Sequence, residues 1–326
     1  MTRLLDATAR GVFPISLTPF HDDGTIDHAS MDRLVDYFLS LGVPGLTLLG
    51  IMGEANKLTA EESLAFIQRA IRRIDGRAKV IVGTAHVSYA QFKSFSAAAM
   101  DAGASAVMVA PATGLRTEEH VHAFFDGLVS SIGDDVPIAL QDYPQSSGVF
   151  LSVETLGRLF QAFPSIQMLK HEEGSAMRKI TRLRAAEKRG AHRRVAIMVG
   201  NSGIHLPQEL VRGVDGANTG VAFPEMLIEV CNRTFAGQAE AGEDLYDIFL
   251  PIVRHEWQPG IGLAIRKEIF RRRGLVASAR ARAPGPSLDA DDHAELTRLL
   301  QRLHRRLDET GEGAIITSYP VSFADT

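Results

Sequence analysis

The sequence predicts an α/β fold, a (β/α)8 TIM barrel with a C-terminal helical extension. Three observations carry that expectation. Short apolar runs alternate with amphipathic helical stretches up to about Phe235, eight such runs occur, and each run is continuously apolar. Continuous rather than alternating apolar strands are those of a parallel sheet covered by helices on both faces. Eight β-then-α units are the number that closes a barrel. A doubly wound open sheet is the competing arrangement, but no glycine-rich dinucleotide fingerprint follows an early strand. Gly50-Ile51-Met52-Gly53 lacks the required spacing.

In chain order, the strand candidates cover residues 12–17, 45–49, 80–83, 106–110, 137–141, 166–170, 196–200 and 216–219. The first helix, within 27–41, carries Met31, Leu34, Val35, Phe38 and Leu41 at helical period. The next begins at Thr59, whose spacing to Glu62 makes a capping box. Thr117 and Ser152 are N-cap residues followed by early acids, which favour the positive end of a helix. Past Phe235 only helical sequence remains, over 240–255, 262–273 and 290–307. Residues 279–286 read as a linker, and the tail from Gly311 is expected to be loosely ordered. The domain expectation is therefore a barrel over 1–235, a three-helix extension over 236–310 and a tail over 311–326.

Composition excludes several function classes. The 326 residues are 45% hydrophobic and 23% charged, with a net charge of -4, which gives no reason to expect nucleic acid or an anionic membrane as partner. The basic runs 188–194 and 271–273 are short and sit in charge-mixed helical sequence, where salt bridges or a solvated face account for them. Cys231 is the only cysteine, so no intrachain disulfide can form, as suits a reducing compartment. No Cys/His zinc pattern is present, the N-terminus lacks the apolar core of a signal peptide, and no run approaches the roughly 18 apolar residues of a membrane span. A soluble cytoplasmic protein is expected.

Seven lysines occur, and six lie in polar or amphipathic context. Lys170 instead ends the apolar run Ile166-Gln167-Met168-Leu169, where the sixth strand should emerge. The C-terminal strand ends of a barrel form the floor of the active site. An ammonium held in a dry pocket loses hydration, which favours the neutral, nucleophilic amine. The competing reading is a strand-end lysine that reaches solvent or pairs with Glu172 or Glu173.

From about Gly11 to Leu307 the chain resembles the dihydrodipicolinate synthase / N-acetylneuraminate lyase family of class I aldolases. The resemblance rests on residues 11–20, 50–54, 140–148, 169–170 and 216–224, with the three-helix extension as a further family feature. It implies a Schiff-base role for Lys170 toward a 2-oxo acid and a homodimer or homotetramer. Several family positions differ. The relay tyrosine of the family's Tyr-Asn-x-Pro motif is Gln141, with Tyr143 two residues on. The two hydroxyl residues before Gly53 are Ile51 and Met52, the second relay tyrosine aligns near Thr113, and the arginine that grips a second carboxylate is Ser146. Gln141-Asp142-Tyr143-Pro144 followed by Ser147-Gly148, together with His86, resembles the sugar-acid dehydratases of the 2-keto-3-deoxyarabonate kind.

These residues suggest a lyase, aldolase or dehydratase, acting on a 2-oxo acid and possibly on a 2-keto-3-deoxy sugar acid. An authentic 4-hydroxy-tetrahydrodipicolinate synthase, or an inactive barrel kept as sensor or scaffold, are the other readings. Proton transfer falls to Tyr143, His86, His171, Glu172 or Glu173, while Gln141 can only orient water or substrate. The backbone amides of Ile51 and Met52 can bind the substrate carboxylate, and Glu54 reads as a structural partner. Asn201 and Thr219, at the seventh and eighth strand ends, are placed to meet substrate hydroxyls. No metal or organic cofactor is called for, because an iminium is itself the electron sink. Activity is accordingly expected to survive exhaustive chelation. Loss on chelation, restored by a divalent ion, would contradict this.

Overall fold

The computed structural model describes residues 4–84, 88–174, 177–316 and 318–322. Eight strands form one parallel sheet: β1 (Gly11–Pro14), β2 (Gly45–Leu48), β3 (Lys79–Gly83), β4 (Ala106–Val109), β5 (Ile138–Asp142), β6 (Ile166–His171), β7 (Ala196–Val199) and β8 (Gly216–Thr219). They pair in sequence order, β1 also pairs with β8, and an Ile15–Thr47 bridge joins the two ends of the sheet. The arrangement is a (β/α)8 barrel. The helices between strands are α1 (His28–Ser40), α2 (Ala60–Ile74), α3 (Tyr89–Asp101), α4 (Glu118–Ile132), the short α5 (Pro144–Ser147), α6 (Val153–Ala162), α7 (Met177–Lys188) and α8 (Leu206–Val211). After β8 come α9 (Pro224–Phe235), α10 (Ala239–Glu256), α11 (Gly262–Arg272) and α12 (Ala290–Thr310).

The strands fall within one or two residues of the expected positions, except that β1 stops at Pro14 rather than at residue 17. There the chain changes partners: the Ile15 amide bonds the Thr219 carbonyl and the Ser16 amide bonds the Thr47 carbonyl. Regular pairing to one neighbour ends while the barrel closes. The Thr59–Glu62 capping box forms as read, Thr117 and Ser152 cap their helices, and Asp289–Asp292 makes a second box at α12. Inside the barrel Phe13, Ile81, Met108, Met168 and Met198 pack as one apolar plug, joined by Leu5 and Ala9 of the N-terminal segment. Gly45 leaves room for Phe13, since a Cβ there would lie 2.3 Å from its ring.

Charged residues tie the extension to the barrel. Glu54, directly after the Gly50–Gly53 turn, binds Lys57 at 2.9 Å, the Arg282 amide at 3.0 Å and the Lys267 ammonium. Lys267 also donates to the carbonyls of Thr18 and Arg280. Its side chain is 1% exposed, and burial lowers its pKa to about 8. Described residues of the tail are tied to the extension. Arg273 donates to the carbonyls of Ser318 and Tyr319, and the Ser322 amide bonds the Arg272 carbonyl. Composition alone missed this because the buried arginine that the tail serves lies about 45 residues upstream. Several members of the basic runs pair internally: Arg194 with Asp215 and Glu187, and Arg271 and Arg272 with Glu268. Among the described residues no helix is long and apolar enough to cross a membrane.

Glu54→Ala strands the Lys267 ammonium without its carboxylate, so a loss of about 3–5 kcal/mol is expected in denaturant unfolding. The isosteric pair Glu54→Gln with Lys267→Met should recover most of it. Equal stability of Glu54→Ala and wild type would show that the clamp is not structural.

Candidate active site

Strand alternation sorts the candidates at the end of β6. Met168 faces the barrel interior, so Lys170 and then Glu172 follow on the same side, while His171 faces the helical layer. Lys170 is 2% exposed, and its ammonium lies 2.9 Å from Glu172 Oε2. Gln141, paired in register with Lys170 on β5, donates its side-chain amide to the same carboxylate oxygen at 2.6 Å. From beyond β7, the Asn201 amide approaches Glu172 Oε1 at 3.3 Å, and its side-chain nitrogen donates to the Glu172 carbonyl at 2.8 Å. Gly200 is what lets the carboxylate in: a Cβ there would lie 2.1 Å from Glu172 Cγ. The nucleophile therefore sits beside a carboxylate rather than in a purely apolar pocket.

Gln141 links this pair to open space. A cavity of about 360 Å³ over the ends of β2 to β5 is lined by Gly50, Ile51, Gly83, Met108, Gln141 and Ser146, among others. On its β2 side the Gly53 and Glu54 amides close the turn onto the Gly50 and Ile51 carbonyls. The amides of Ile51 and Met52 stand outside those turn bonds. The Ile51 side chain is 62% exposed, whereas Met52 is buried against Gly220, where a Cβ would lie 1.9 Å from its sulfur. Met52 can thus contribute its backbone while its side chain packs. Glu54 points away, into the clamp with Lys267.

The other expected residues divide. Tyr143 follows β5 directly and is half-buried; burial first, then the Glu172 charge, raises its pKa, with Arg266 opposing. A phenol held in that direction donates a hydrogen bond at neutral pH. Thr219 lies on the strand face opposite Asn218, and its hydroxyl accepts from the Ser202 amide at 2.8 Å. Asn201 is engaged by Glu172. Of the neutral strand-end groups Gln141, Asn201 and Thr219, Gln141 is the one that lines this cavity. His86 lies outside the described residues. His171 instead meets Asp142 at 3.3 Å, and Lys179 bridges Asp142 and Glu173, so His171 and Glu173 belong to a buried ionic cluster behind β5 and β6. Glu172 was one of five proton carriers in the sequence, and counting two residues on from Lys170 would have singled it out. Arg266 and Gly200 gave no local signal. Among the described residues no group of three or more His, Cys, Asp and Glu side chains is placed to hold a metal ion.

Comparison with known proteins identifies the family. The model of the dihydrodipicolinate synthetase family matches residues 8–303. An L-2-keto-3-deoxyarabonate dehydratase from Azospirillum brasilense is 31% identical over 298 residues, covering 90% of this chain and 94% of that protein. A 4-hydroxy-tetrahydrodipicolinate synthase from Thiobacillus denitrificans is 28% identical, covering 76% of this chain and 81% of its own length. Among solved structures, a dihydrodipicolinate synthase from Rhodopseudomonas palustris superposes with a TM-score of 0.90 at 42% identity, covering 92% of this chain and all of that one. A prophage protein of the same family from E. coli K12, solved in complex with pyruvate, has a TM-score of 0.82 at 26% identity, covering 90% and 98%. With the family matched over nearly its whole length, the chain belongs to the dihydrodipicolinate synthetase family and is a lyase of that Schiff-base-forming group.

Proposed function

We propose that the chain is a dehydratase for a 2-keto-3-deoxy sugar acid, working through an imine on Lys170 with Glu172 as the proton carrier. The observation that supports this most directly is the Glu172 carboxylate, 2.9 Å from the Lys170 ammonium and 2.6 Å from the Gln141 amide. A carboxylate so placed takes a proton from the ammonium and leaves a neutral amine. The amine adds to the C2 carbonyl of the substrate and, with loss of water, gives a protonated imine. Glu172, its proton passed on to that departing water, then removes a proton from C3. The C–H pair becomes the C2=C3 bond of an enamine, and the C=N pair returns to nitrogen. The same carboxyl delivers its proton to the C4 hydroxyl, which leaves as water while the enamine electrons re-form C=N and make C3=C4. Hydrolysis of the imine frees Lys170, so the net change is loss of one water from the substrate. Gln141 orients the carboxylate, Tyr143 supplies a hydrogen-bond donor nearby, and the Ile51 and Met52 amides anchor the substrate carboxylate.

The relative named as an L-2-keto-3-deoxyarabonate dehydratase supports the substrate class. The 42% identity to a structure named dihydrodipicolinate synthase favours a second reading, condensation of pyruvate with aspartate semialdehyde. That reaction calls for a cation to hold the second carboxylate, and the cavity wall carries the uncharged Ser146 there. The expected assembly is a homodimer or homotetramer, and the expected setting is the cytoplasm, with no nucleic acid or membrane as partner.

Three measurements test these readings. Intact mass after pyruvate and borohydride should show one adduct, absent in Lys170→Ala; an adduct on another lysine, or none with any 2-oxo acid, refutes the imine. Glu172→Gln should keep the adduct and lose about 10²–10⁴-fold in dehydration rate, the range of general acid–base catalysis. In the third measurement, turnover of pyruvate with aspartate semialdehyde should stay below about 1 per second, the lower end of ordinary enzymes. A rate within the ordinary range would favour the synthase.

A further inference from the structure

The C-terminal extension reaches the reacting carboxylate through one side chain. Arg266, on α11, donates its guanidinium to the Ser202 hydroxyl and faces Glu256 of α10, with Nε 3.5 Å from Oε1. Glu256 is itself fixed, since its other oxygen accepts the Ala222 amide at 3.0 Å. Ser202 lies in the turn after β7, in an unusual backbone state. Asn201 and Ser202 have φ of 50° and 57°, two consecutive non-glycine residues in the left-handed region. L residues rarely hold that conformation unless the surroundings impose it. Here the Ser202 amide is tied to Thr219 at 2.8 Å and its hydroxyl to Arg266. The turn in turn aims the Asn201 amide at Glu172 Oε1 and the Asn201 side chain at the Glu172 carbonyl.

From this geometry we infer that Arg266 is a positioning residue for Glu172. It holds the Asn201–Ser202 turn left-handed, and that turn holds the carboxylate over Lys170. An unbroken series of contacts links Glu256, Arg266, Ser202, Asn201, Glu172 and Lys170. Gly200 gives the series its precision, because the carboxylate lies against a bare Cα and the turn begins at the next residue. The extension, which supplies no strand to the barrel, thereby sets the aim of the proton carrier. If Arg266 served only to fasten α11 to the barrel, its loss would lower stability without separating proton transfer from imine formation. If it aims Glu172, its loss slows proton transfer and leaves the imine intact.

The inference rests on Glu172 moving the C3 proton of a Lys170 imine, so the experiment reads those two steps separately with pyruvate as probe. Imine formation is read as borohydride adduct by mass, and proton transfer as exchange of the pyruvate methyl hydrogens for deuterium by NMR in heavy water. Arg266→Met in the full-length protein should lose about 10- to 100-fold in saturated exchange rate, the scale of a catalytic group displaced by an ångström or less. Its adduct yield and pyruvate KM should stay within about threefold of wild type, since the groups that bind the keto acid are untouched. Arg266→Lys should recover part of the rate. Adding Ser202→Gly to Arg266→Met should also recover about tenfold, because glycine enters the left-handed region without a clamp. Ser202→Ala, which keeps the arginine and removes its acceptor, reads the same link and should slow exchange even if Arg266→Met fails to fold. Wild-type exchange in Arg266→Met or in Ser202→Ala, or a loss that Ser202→Gly leaves unchanged, overturns the positioning role. A wild type that forms neither adduct nor exchanged pyruvate overturns the imine reading first, and the positioning role with it.

Discussion

An ammonium and a carboxylate buried side by side at the end of β6 set the terms for everything around them. Taking both out of water is costly, and their attraction offsets that loss only when the remaining lone pairs and protons are also satisfied. Glu172 is satisfied from three directions: Lys170 and Gln141 on one oxygen, the Asn201 amide on the other. Each donor comes from a different strand end. The parallel register of β5, β6 and β7 brings them together, and the missing Cβ at Gly200 opens the space. A proton can then pass between two groups already in contact, with little solvent to reorganise.

The mouth of the barrel is held differently on its two sides. Around the turn after β2, Glu54 joins the barrel to Lys267 and to the Arg282 amide of the extension. Around β8, Arg273 binds Glu225 and the Ala222 carbonyl and receives the C-terminal tail. Both anchors are buried charges from α11 or its C-cap. Over β2 to β5 the extension leaves the cavity open, with Ile51 exposed at its edge. Of the groups that hold Glu172, Asn201 stands on the β7 side, whereas Gln141 lines the open cavity and so joins the carboxylate to it.

The sequence was legible where burial on both faces forces an apolar run. Seven strands lie within one or two residues of their expected bounds, and Lys170 stood out because a charge closes such a run. Side-chain partnership was not legible. Asn201 and Thr219 sit at strand ends as read, yet each hydrogen-bonds the protein across a gap of 29 or 17 residues. A pattern with a period of two says which face a residue takes, not which neighbour claims it. The same limit hid the docking of the tail and the reach of Arg266, whose acceptor lies 64 residues away. Glu172 falls between these cases: its face followed from alternation, its donors did not.

Gln141 and Glu172 are best understood as one feature. In the family motif that this chain resembles, a tyrosine stands at position 141, a group that can itself relay a proton. An amide cannot. A carboxamide there can, however, donate to a carboxylate at 2.6 Å without competing for its proton, and so keeps Glu172 an acceptor aimed at the substrate side of Lys170. Conversely, a carboxylate at 172 beside a phenol at 141 would face a group that also ionises, and the two negative forms would repel in a dry site. The amide, the carboxylate and the bare Cα of Gly200 therefore support one another. Under the proposed function, proton handling passes from a phenol on β5 in the family motif to a carboxyl just beyond β6 here.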